Sequence, residues 1–413
     1  MKLQPVKGTK DILPEDYTIF LHIIEVARQV ARNYGYKEFD IPALEYTEVF
    51  SRSLGDASEI VNKEMYTFED RKGRSLTLRP EFTAGIVRSV ISNSLQNDMP
   101  LKLFTAGALF RYERPQRGRY RQFYQINFEN IGDCDPIADA ETIALADNIL
   151  KQLKLDNITL EINTLGDSAS RQSYTNELVS YFKQYKNDLS ADSKIRLTKN
   201  PLRILDSKDE KDKKIIAKAP SIQNFLTPES DKFFKELLKN LDDLGVKYKV
   251  NPKLVRGLDY YTNTVFEFTT SELGAQGTVL AGGRYDNLVK QIGGRDIPAI
   301  GFAAGIERLM ELFKEEIKTK RGVSIVLLDQ KFNSLGLKLA QKIRSKNIAV
   351  VIEKTTNVAK VMKKSLANNA KFIVFIGEEE AKQNKFTVKD LDKYQESLLT
   401  FEQLIDTVSR YEF

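Results

Sequence analysis

Two strand-like runs joined by an arginine-rich loop, residues 101–132, constrain this 413-residue chain more than any other stretch. The pattern is strand, basic loop, strand. Between residues 111 and 121 lie Arg111, Arg114, Arg117, Arg119 and Arg121, interleaved with Tyr112 and Tyr120. Guanidinium forks suit phosphate geometry and aromatic rings suit base stacking, so the loop points to nucleotide or nucleic acid. A charge run at a hairpin tip is more often a solvated face. The outgoing strand argues otherwise, because Gln125, Asn127 and Glu129 are spaced by two and share one face. Three hydrogen-bonding groups then point into one surface.

A second stretch, Leu254–Phe268, has a strand-like half in which Thr264, Phe266 and Phe268 alternate with Val265 and Glu267. Its first half crowds Arg256, Asp259, Tyr260 and Tyr261 around Gly257. A buried strand needs no such polar entry, since unpaired polar groups are costly out of water. Two glycine-rich runs follow, at Gly282-Gly283 and at Gly301 and Gly305, where backbone and ligand can approach closely. Each alone is weak evidence, more often mere packing.

What is missing narrows the chemistry. One cysteine, Cys134, excludes an internal disulfide and a multi-cysteine metal site. The only histidine, His22, falls in the amphipathic run 18–34 and reads as a structural or surface residue. A Ser-His-Asp triad and a multi-histidine zinc site are thereby disfavoured. Arginines, carboxylates, tyrosines, the substrates or magnesium must carry any reaction. Lys and Arg number 63 against 57 Asp and Glu, a mild excess compatible with a polyanionic partner. Apolar runs are too short to span a bilayer and the first residues lack a signal-peptide core, so a soluble, cytosolic protein with no membrane partner is expected.

In chain order, the periodicity predicts a helix over 17–34 and an interrupted strand over 39–45 broken by Pro42. A hairpin over 64–79 should turn at Arg71-Lys72-Gly73. Thr83 is then placed to cap a helix over 84–95. A helix from Asp135, a strand over 158–163 and a polar, strand-free insertion over 167–225 come next. Within it, 206–214 reads as a solvated face or loop. A helix over 229–244 leads back to Leu254. Beyond a linker at 314–322, strands near 324–328, 349–353 and 372–377 alternate with helices near 333–346 and 357–369. A short strand near 386–389 and a helix near 401–410 complete a small α/β domain with a largely parallel sheet. It has no glycine-rich phosphate loop.

At this point the chain resembles the histidyl-tRNA synthetases, a family of class II aminoacyl-tRNA synthetases, over nearly its whole length. Pro42 and its strand resemble motif 1, the dimer-interface motif. Phe110-Arg-Tyr-Glu-Arg-Pro-Gln116 through Gln125 resembles motif 2, and Gly301-Phe-Ala-Ala-Gly-Ile-Glu-Arg308 resembles motif 3. Leu254-Val-Arg-Gly-Leu-Asp-Tyr-Tyr261 and Ala281-Gly-Gly-Arg-Tyr-Asp286 resemble the two histidine-specific motifs, and this pair is the specific signal. The resemblance implies an α+β fold: an antiparallel sheet with flanking helices and a helical insertion, plus a C-terminal α/β anticodon-binding-like domain. Residues 1–318 would be catalytic, 319–322 the end of a linker and 323–413 the anticodon-binding domain.

The implied activity is ATP-dependent activation of L-histidine, with magnesium accompanying ATP, and transfer to tRNA(His) by a homodimer. By the same resemblance Arg111 would hold the α-phosphate and Glu113 the adenine edge, while Phe123 and Arg308 sandwich the adenine. Glu81, Thr83 and Gln125 would hold the histidine amino group. Glu129 and Tyr261 would read the imidazole, and Arg256 would bridge the substrate carboxylate and α-phosphate. Gln116, Arg117 and Arg119 are candidate tRNA contacts, as are Lys360, Lys363 and Lys364. No protein metal ligand is implied. Phe82, Tyr124 and Asn287 depart from the glycine, histidine and glycine common in the family. A silent paralogue regulating ATP phosphoribosyltransferase is the nearest alternative, and an RNA-binding module is a further one. The former typically lacks the C-terminal domain and the Arg-Gly-Leu-Asp-Tyr-Tyr motif. The latter leaves Glu81, Gln125, Glu129 and Arg308 unexplained.

Overall fold

A computed structural model describes residues 3–54, 60–116, 118–258, 260–274, 277–317, 321–354 and 357–410. Arg117 and Asp259 lie outside them. The chain forms two compact units, Met1–Glu315 and Glu316–Phe413. Among the described residues no helix is long and apolar enough to cross a membrane.

The first unit carries, in chain order, β1 (Lys37–Glu38), β2 (Leu44–Tyr46), β3 (Tyr66–Glu69), β4 (Ser75–Leu78), β5 (Leu101–Phe110), β6 (Gln122–Ile131), β7 (Thr159–Thr164), β8 (Lys249–Val250), β9 (Thr262–Thr269), β10 (Thr278–Arg284) and β11 (Ala299–Gly305). Eight of these make one sheet in the order β1-β5-β6-β11-β10-β9-β7-β8. Its six central strands are all antiparallel, and only the two edge pairs, β1-β5 and β7-β8, are parallel. Consecutive side chains on a strand face opposite ways. So Ile126, Phe128, Phe266, Phe302 and Ala304 go to one face, packed under the helices Pro14–Asn33, Pro136–Gln152 and Pro228–Asp243. Gln125, Asn127 and Glu129 go to the other.

Boundaries and caps differ locally from the sequence expectation. The first helix starts at Pro14, where a proline without its N–H costs nothing. Of the expected strand over 39–45 only residues 44–45 are strand, within β2, and the stretch around Pro42, which cannot donate to a ladder, is irregular. The hairpin β3-β4 forms with Gly73 at φ 74°. Thr83 is not a cap. The helix spans Thr83–Ser92, and the Glu81 carboxylate accepts from the backbone N–H groups of Thr83 (2.9 Å) and Ala84 (2.7 Å).

The insertion is helical throughout its described elements. Its charged run, 206–214, is the solvated face expected except at Asp212. Glu210–Ile216 is a helix that buries Asp212 where Ser190, Ser193 and Ser207 donate to its carboxylate. The N–H of Ser190 donates as well, at 2.9 Å. These bonds outweigh burial, which opposes the charge, and hold Asp212 below the ordinary carboxylate value. A solvated charge and a buried one look alike in sequence when two of the three serine partners lie about twenty residues away.

A buried strut closes the sheet. Arg284, at the end of β10 and 1% exposed, donates through Nε to Asp139 at 3.1 Å and through Nη1 to Asp286 at 3.0 Å and the Asp133 carbonyl. Replacing Arg284 by leucine leaves the Asp139 carboxylate buried without its cation. We expect a loss of about 3–5 kcal/mol in urea-unfolding free energy, and a loss below about 1 kcal/mol would show the pair is dispensable.

The second unit has β12 (Gly322–Leu327), β13 (Val350–Lys354), β14 (Ala370–Ile376), β15 (Lys385–Asp390) and β16 (Gln395–Thr400) in the order β13-β12-β14-β15-β16. The β13-β12-β14 pairings are parallel, but β14-β15 and β15-β16 are antiparallel, so the sheet is mixed and not largely parallel. The edge strand β16 and the helix Glu378–Gln383 had no readable pattern, because β16 is mostly exposed and carries no core alternation.

Candidate active site

On the polar face of the central sheet lies a cavity of about 390 Å³, within the range of small-molecule sites. The register explains why it is open. Gln125, Asn127 and Glu129 on β6 lie opposite Gly305, Ala303 and Gly301 on β11. A Cβ at Gly301 would overlap the Glu129 carboxylate. Gly283 on β10 serves likewise, since a Cβ there would press on the Tyr261 ring at 2.9 Å. The glycines are therefore the relief that lets a polar stripe face a void.

Five of the described arginines line the cavity: Arg111, Arg119, Arg203, Arg256 and Arg308. Arg111 extends from the end of β5, donates through Nε to the Pro80 carbonyl at 2.8 Å, and lies 5.2 Å from the Phe123 ring. Arg308, on the helix Ile306–Leu312, donates to the carbonyls of Thr278 and Gly118. Burial, then repulsion from Arg119, pushes its pKa down, so an anion placed among these groups is favoured. Glu113 sits beside them, 3.2 Å from the Arg119 guanidinium. Arg256 is ion-paired with Glu267 on β9, and its buried Nε has no partner among the described residues. Burial opposes its charge, but Glu267 and the tyrosines beside it reverse that and raise its pKa. Glu267 also accepts from the Thr278 hydroxyl at 2.9 Å. Thr278 thus links the Arg308 and Arg256 sides of the cavity.

The other end is polar. Glu81, Thr83, Gln125 and Tyr261 converge there with Tyr260 and Tyr285. Glu129, 1% exposed, lies just beneath the wall at Gly301. The Thr83 hydroxyl donates to one of its oxygens at 2.5 Å and the Tyr285 hydroxyl to the other. Burial pushes Glu129 up to about 8, and the nearby Glu81 adds to that. Burial also raises Glu81 and Tyr261. Among the described residues no group of three or more His, Cys, Asp or Glu could hold a metal.

The structure thus gathers Glu81, Thr83, Arg111, Glu113, Arg119, Phe123, Gln125, Arg256, Tyr261 and Arg308 around one cavity, with Glu129 behind it. Gln116 is placed away from the cavity wall, bridged to Arg119 in the loop. Lys364 on the helix Val358–Ala367 pairs with Glu353. Sequence reasoning missed Glu267, Thr278, Tyr285 and Arg203. Tyr285 belongs to a motif already recognised, but nothing local announces the others. Of the three departures, Phe82 lines the cavity itself. Phe82 is buried under Arg79, 4.5 Å from its ring, and Asn287 has φ −93°, which needs no glycine. The Tyr124 ring packs edge-on against Phe20.

The comparisons agree with this geometry. The family model "Histidyl-tRNA synthetase" matches residues 8–309, and "Anticodon binding domain" matches 322–411. A histidine–tRNA ligase from Rickettsia bellii is 52% identical over 411 residues, 99% of each chain. The crystal structure of apo Staphylococcus aureus histidyl-tRNA synthetase superposes with a TM-score of 0.83 at 33% identity, covering 99% of this chain and all of that one. A Bacillus halodurans structure, described as an ATP phosphoribosyltransferase regulatory subunit/histidyl-tRNA synthetase, is 26% identical with a TM-score of 0.67. It covers 92% of this chain and 99% of that one. An antiparallel sheet backing such a cavity, followed by an anticodon-binding domain, is the α+β architecture of class II aminoacyl-tRNA synthetases. Within that class, the chain belongs to the histidyl-tRNA synthetase family.

Proposed function

We infer that this chain is a histidine–tRNA ligase. It activates L-histidine with ATP to histidyl-adenylate, releases pyrophosphate, and transfers the histidyl group to the 3′ end of tRNA(His). The observation that carries the reading is the convergence of Arg111, Arg256 and Arg308 with Glu81, Thr83, Gln125 and Tyr261 on one cavity. The regulatory-subunit alternative is not favoured, since the relative at 52% identity is a full-length ligase and residues 322–411 match an anticodon-binding domain.

Activation is in-line attack of the histidine carboxylate on the α-phosphorus. A carboxylate is already ionised at neutral pH, so no protein base is required. The obstacle is two anions meeting. Arg256 sits between them in the proposed roles, with Glu267 fixing one guanidinium nitrogen and Nε left for the substrates. Arg111 takes the α-phosphate, Glu113 the adenine edge, and Phe123 and Arg308 the two adenine faces. Glu81 and Thr83 keep acceptor capacity for the substrate ammonium while bonded to the helix start and Glu129, and Gln125 joins them. Glu129 and Tyr261 read the two imidazole nitrogens. Magnesium enters bound to ATP, as part of that substrate, and no protein ligand is assigned to it.

The basic loop contributes Gln116, Arg117 and Arg119 to the tRNA acceptor end, in this reading, and Lys360, Lys363 and Lys364 of the second unit are candidate phosphate contacts. Because Arg119 lines the cavity and pairs with Glu113, an ATP role is its rival. Gln116→Ala should slow tRNA charging by about tenfold, one or two lost polar contacts, while pyrophosphate exchange stays near wild type. Equal damage to both reactions in Arg119→Ala would move that residue to the ATP site. A homodimer with an isologous interface and a cytoplasmic location complete the proposal, and sedimentation equilibrium tests the former.

Histidine-dependent ATP–pyrophosphate exchange, followed by charging of purified tRNA(His), tests the function directly. Exchange without charging would refute the ligase assignment, and neither reaction would return the chain to a binding role.

A further inference from the structure

In the stretch 254–261, backbone carbonyls accept from side chains of β7 and of the helical insertion. Asn163 Nδ2 on β7 donates to the Leu254 carbonyl at 3.0 Å. Arg203 Nη1 donates to the Arg256 carbonyl at 2.9 Å, and Arg171 Nη1 to the Tyr261 carbonyl at 3.0 Å. Both arginines belong to the helical insertion. Arg171 is on the helix Ser168–Gln184, and Arg203 on the short 3₁₀ helix Pro201–Asp206. A carbonyl held by a charged donor is a strong tether. The two tethered residues are the ones whose side chains the proposed mechanism uses.

The tethers are themselves rigidly mounted. Leu202, Ile204 and Leu205 on either side of Arg203 are buried in the same core as Leu254, Val255, Tyr260 and Tyr261. The Asp212 carboxylate binds Ser193 before the 3₁₀ helix and Ser207 after it. Arg203 lines the cavity and lies against the glycine hinge, where a Cβ at Gly257 would be 3.3 Å from Nη1.

We propose that Arg203, with Arg171, is a positioning residue for adenylate formation: the insertion sets the backbone of Arg256 and Tyr261, and through it the aim of the Arg256 guanidinium. This rests on the role proposed for Arg256. In this proposal Arg203 acts through the loop, by its bond to the Arg256 carbonyl.

The test is single-turnover formation of histidyl-adenylate by the full-length protein, with rate and substrate affinities read separately. Arg203→Ala should lower the rate by about 10- to 100-fold, the cost of slight misplacement, with ATP affinity unchanged. In an Arg256→Ala background the same change should cost less than about threefold, because coupled residues are non-additive. Millimolar methylguanidinium should restore part of the rate to Arg203→Ala. If the alanine variant does not fold, Arg203→Gln keeps most of the packing, reaches less far, and carries the same expectations. A wild-type rate in the single variant, an undiminished loss in the Arg256→Ala background, or weakened ATP binding at an unchanged rate would each overturn the proposal. Arg256→Ala alone reads the role of Arg256, so the two failures are separable.

Discussion

Replacing Arg256 by alanine lowers histidine-dependent pyrophosphate exchange by about 10²- to 10³-fold, the usual cost of one preorganised donor at a developing charge. The KM values for ATP and histidine change little by comparison. The asymmetry follows from where the guanidinium sits. The ATP end keeps Arg111 and Arg308 without it, and the histidine end keeps Glu81, Thr83 and Gln125. What is lost is the charge between two converging anions, and that matters most at the transition state. Lysine at 256 should rescue poorly, because one ammonium cannot pair with Glu267 and also offer a second fixed donor. Exchange within a few-fold of wild type in the alanine variant would sink this role.

Glu129→Gln should raise the KM for histidine by about 10- to 100-fold, the effect of about 1–3 kcal/mol for a poorly satisfied buried polar group, and change its pH dependence. Burial raises the Glu129 carboxyl to about 8, with Glu81 adding repulsion and the hydroxyls of Thr83 and Tyr285 opposing the shift. The empty site therefore holds a proton at pH 7 that an ordinary carboxyl has lost. Free imidazole loses its proton near pH 6.5, so between about 6.5 and 8 the site supplies the one proton a carboxyl–imidazole pair shares. Below that window imidazolium brings a second proton that must leave, and above it a proton must be taken up. Histidine affinity should be greatest inside the window and weaken by up to about tenfold per unit outside it. In Glu129→Gln the limb near pH 8 disappears. If it persists, another group is responsible, Glu81 or the substrate amino group first.

The same carboxyl has a sign for stability. A folded pKa raised above the unfolded value means the folded state favours the proton. Its contribution is present in full below about 4.5 and is lost as pH rises towards about 8. Histidine, by using that proton, should recover part of the loss. Unfolding in urea at pH 8, with and without histidine, would show it.

Much of this was legible in the chain because its physics is local. A period of two placed Gln125, Asn127 and Glu129 on one face, and the same parity put Ile126 and Phe128 in the core. The strand nature of 262–269, the strand-free insertion and the alternation of the second unit followed from spacing and turn residues. The glycines of β10 and β11 were visible, but not as the relief opposite a polar stripe, because that meaning exists only in the register.

The remainder is non-local. Which arginine becomes a strut and which a ligand depends on what lies across the sheet. Arg284 is buried on Asp139, whereas Arg256, paired with Glu267, has an Nε without a partner among the described residues. Thr83 carries the signature of a helix cap yet spends its hydroxyl on Glu129, since Glu81 reaches the helix N–H groups first. Sequence by itself determined the strand periods, the motif residues and the family. Only the tertiary structure decided that the polar, strand-free insertion reaches the loop bearing Arg256 and Tyr261. A donor fifty-three residues away can be chosen only once the chain has closed on itself.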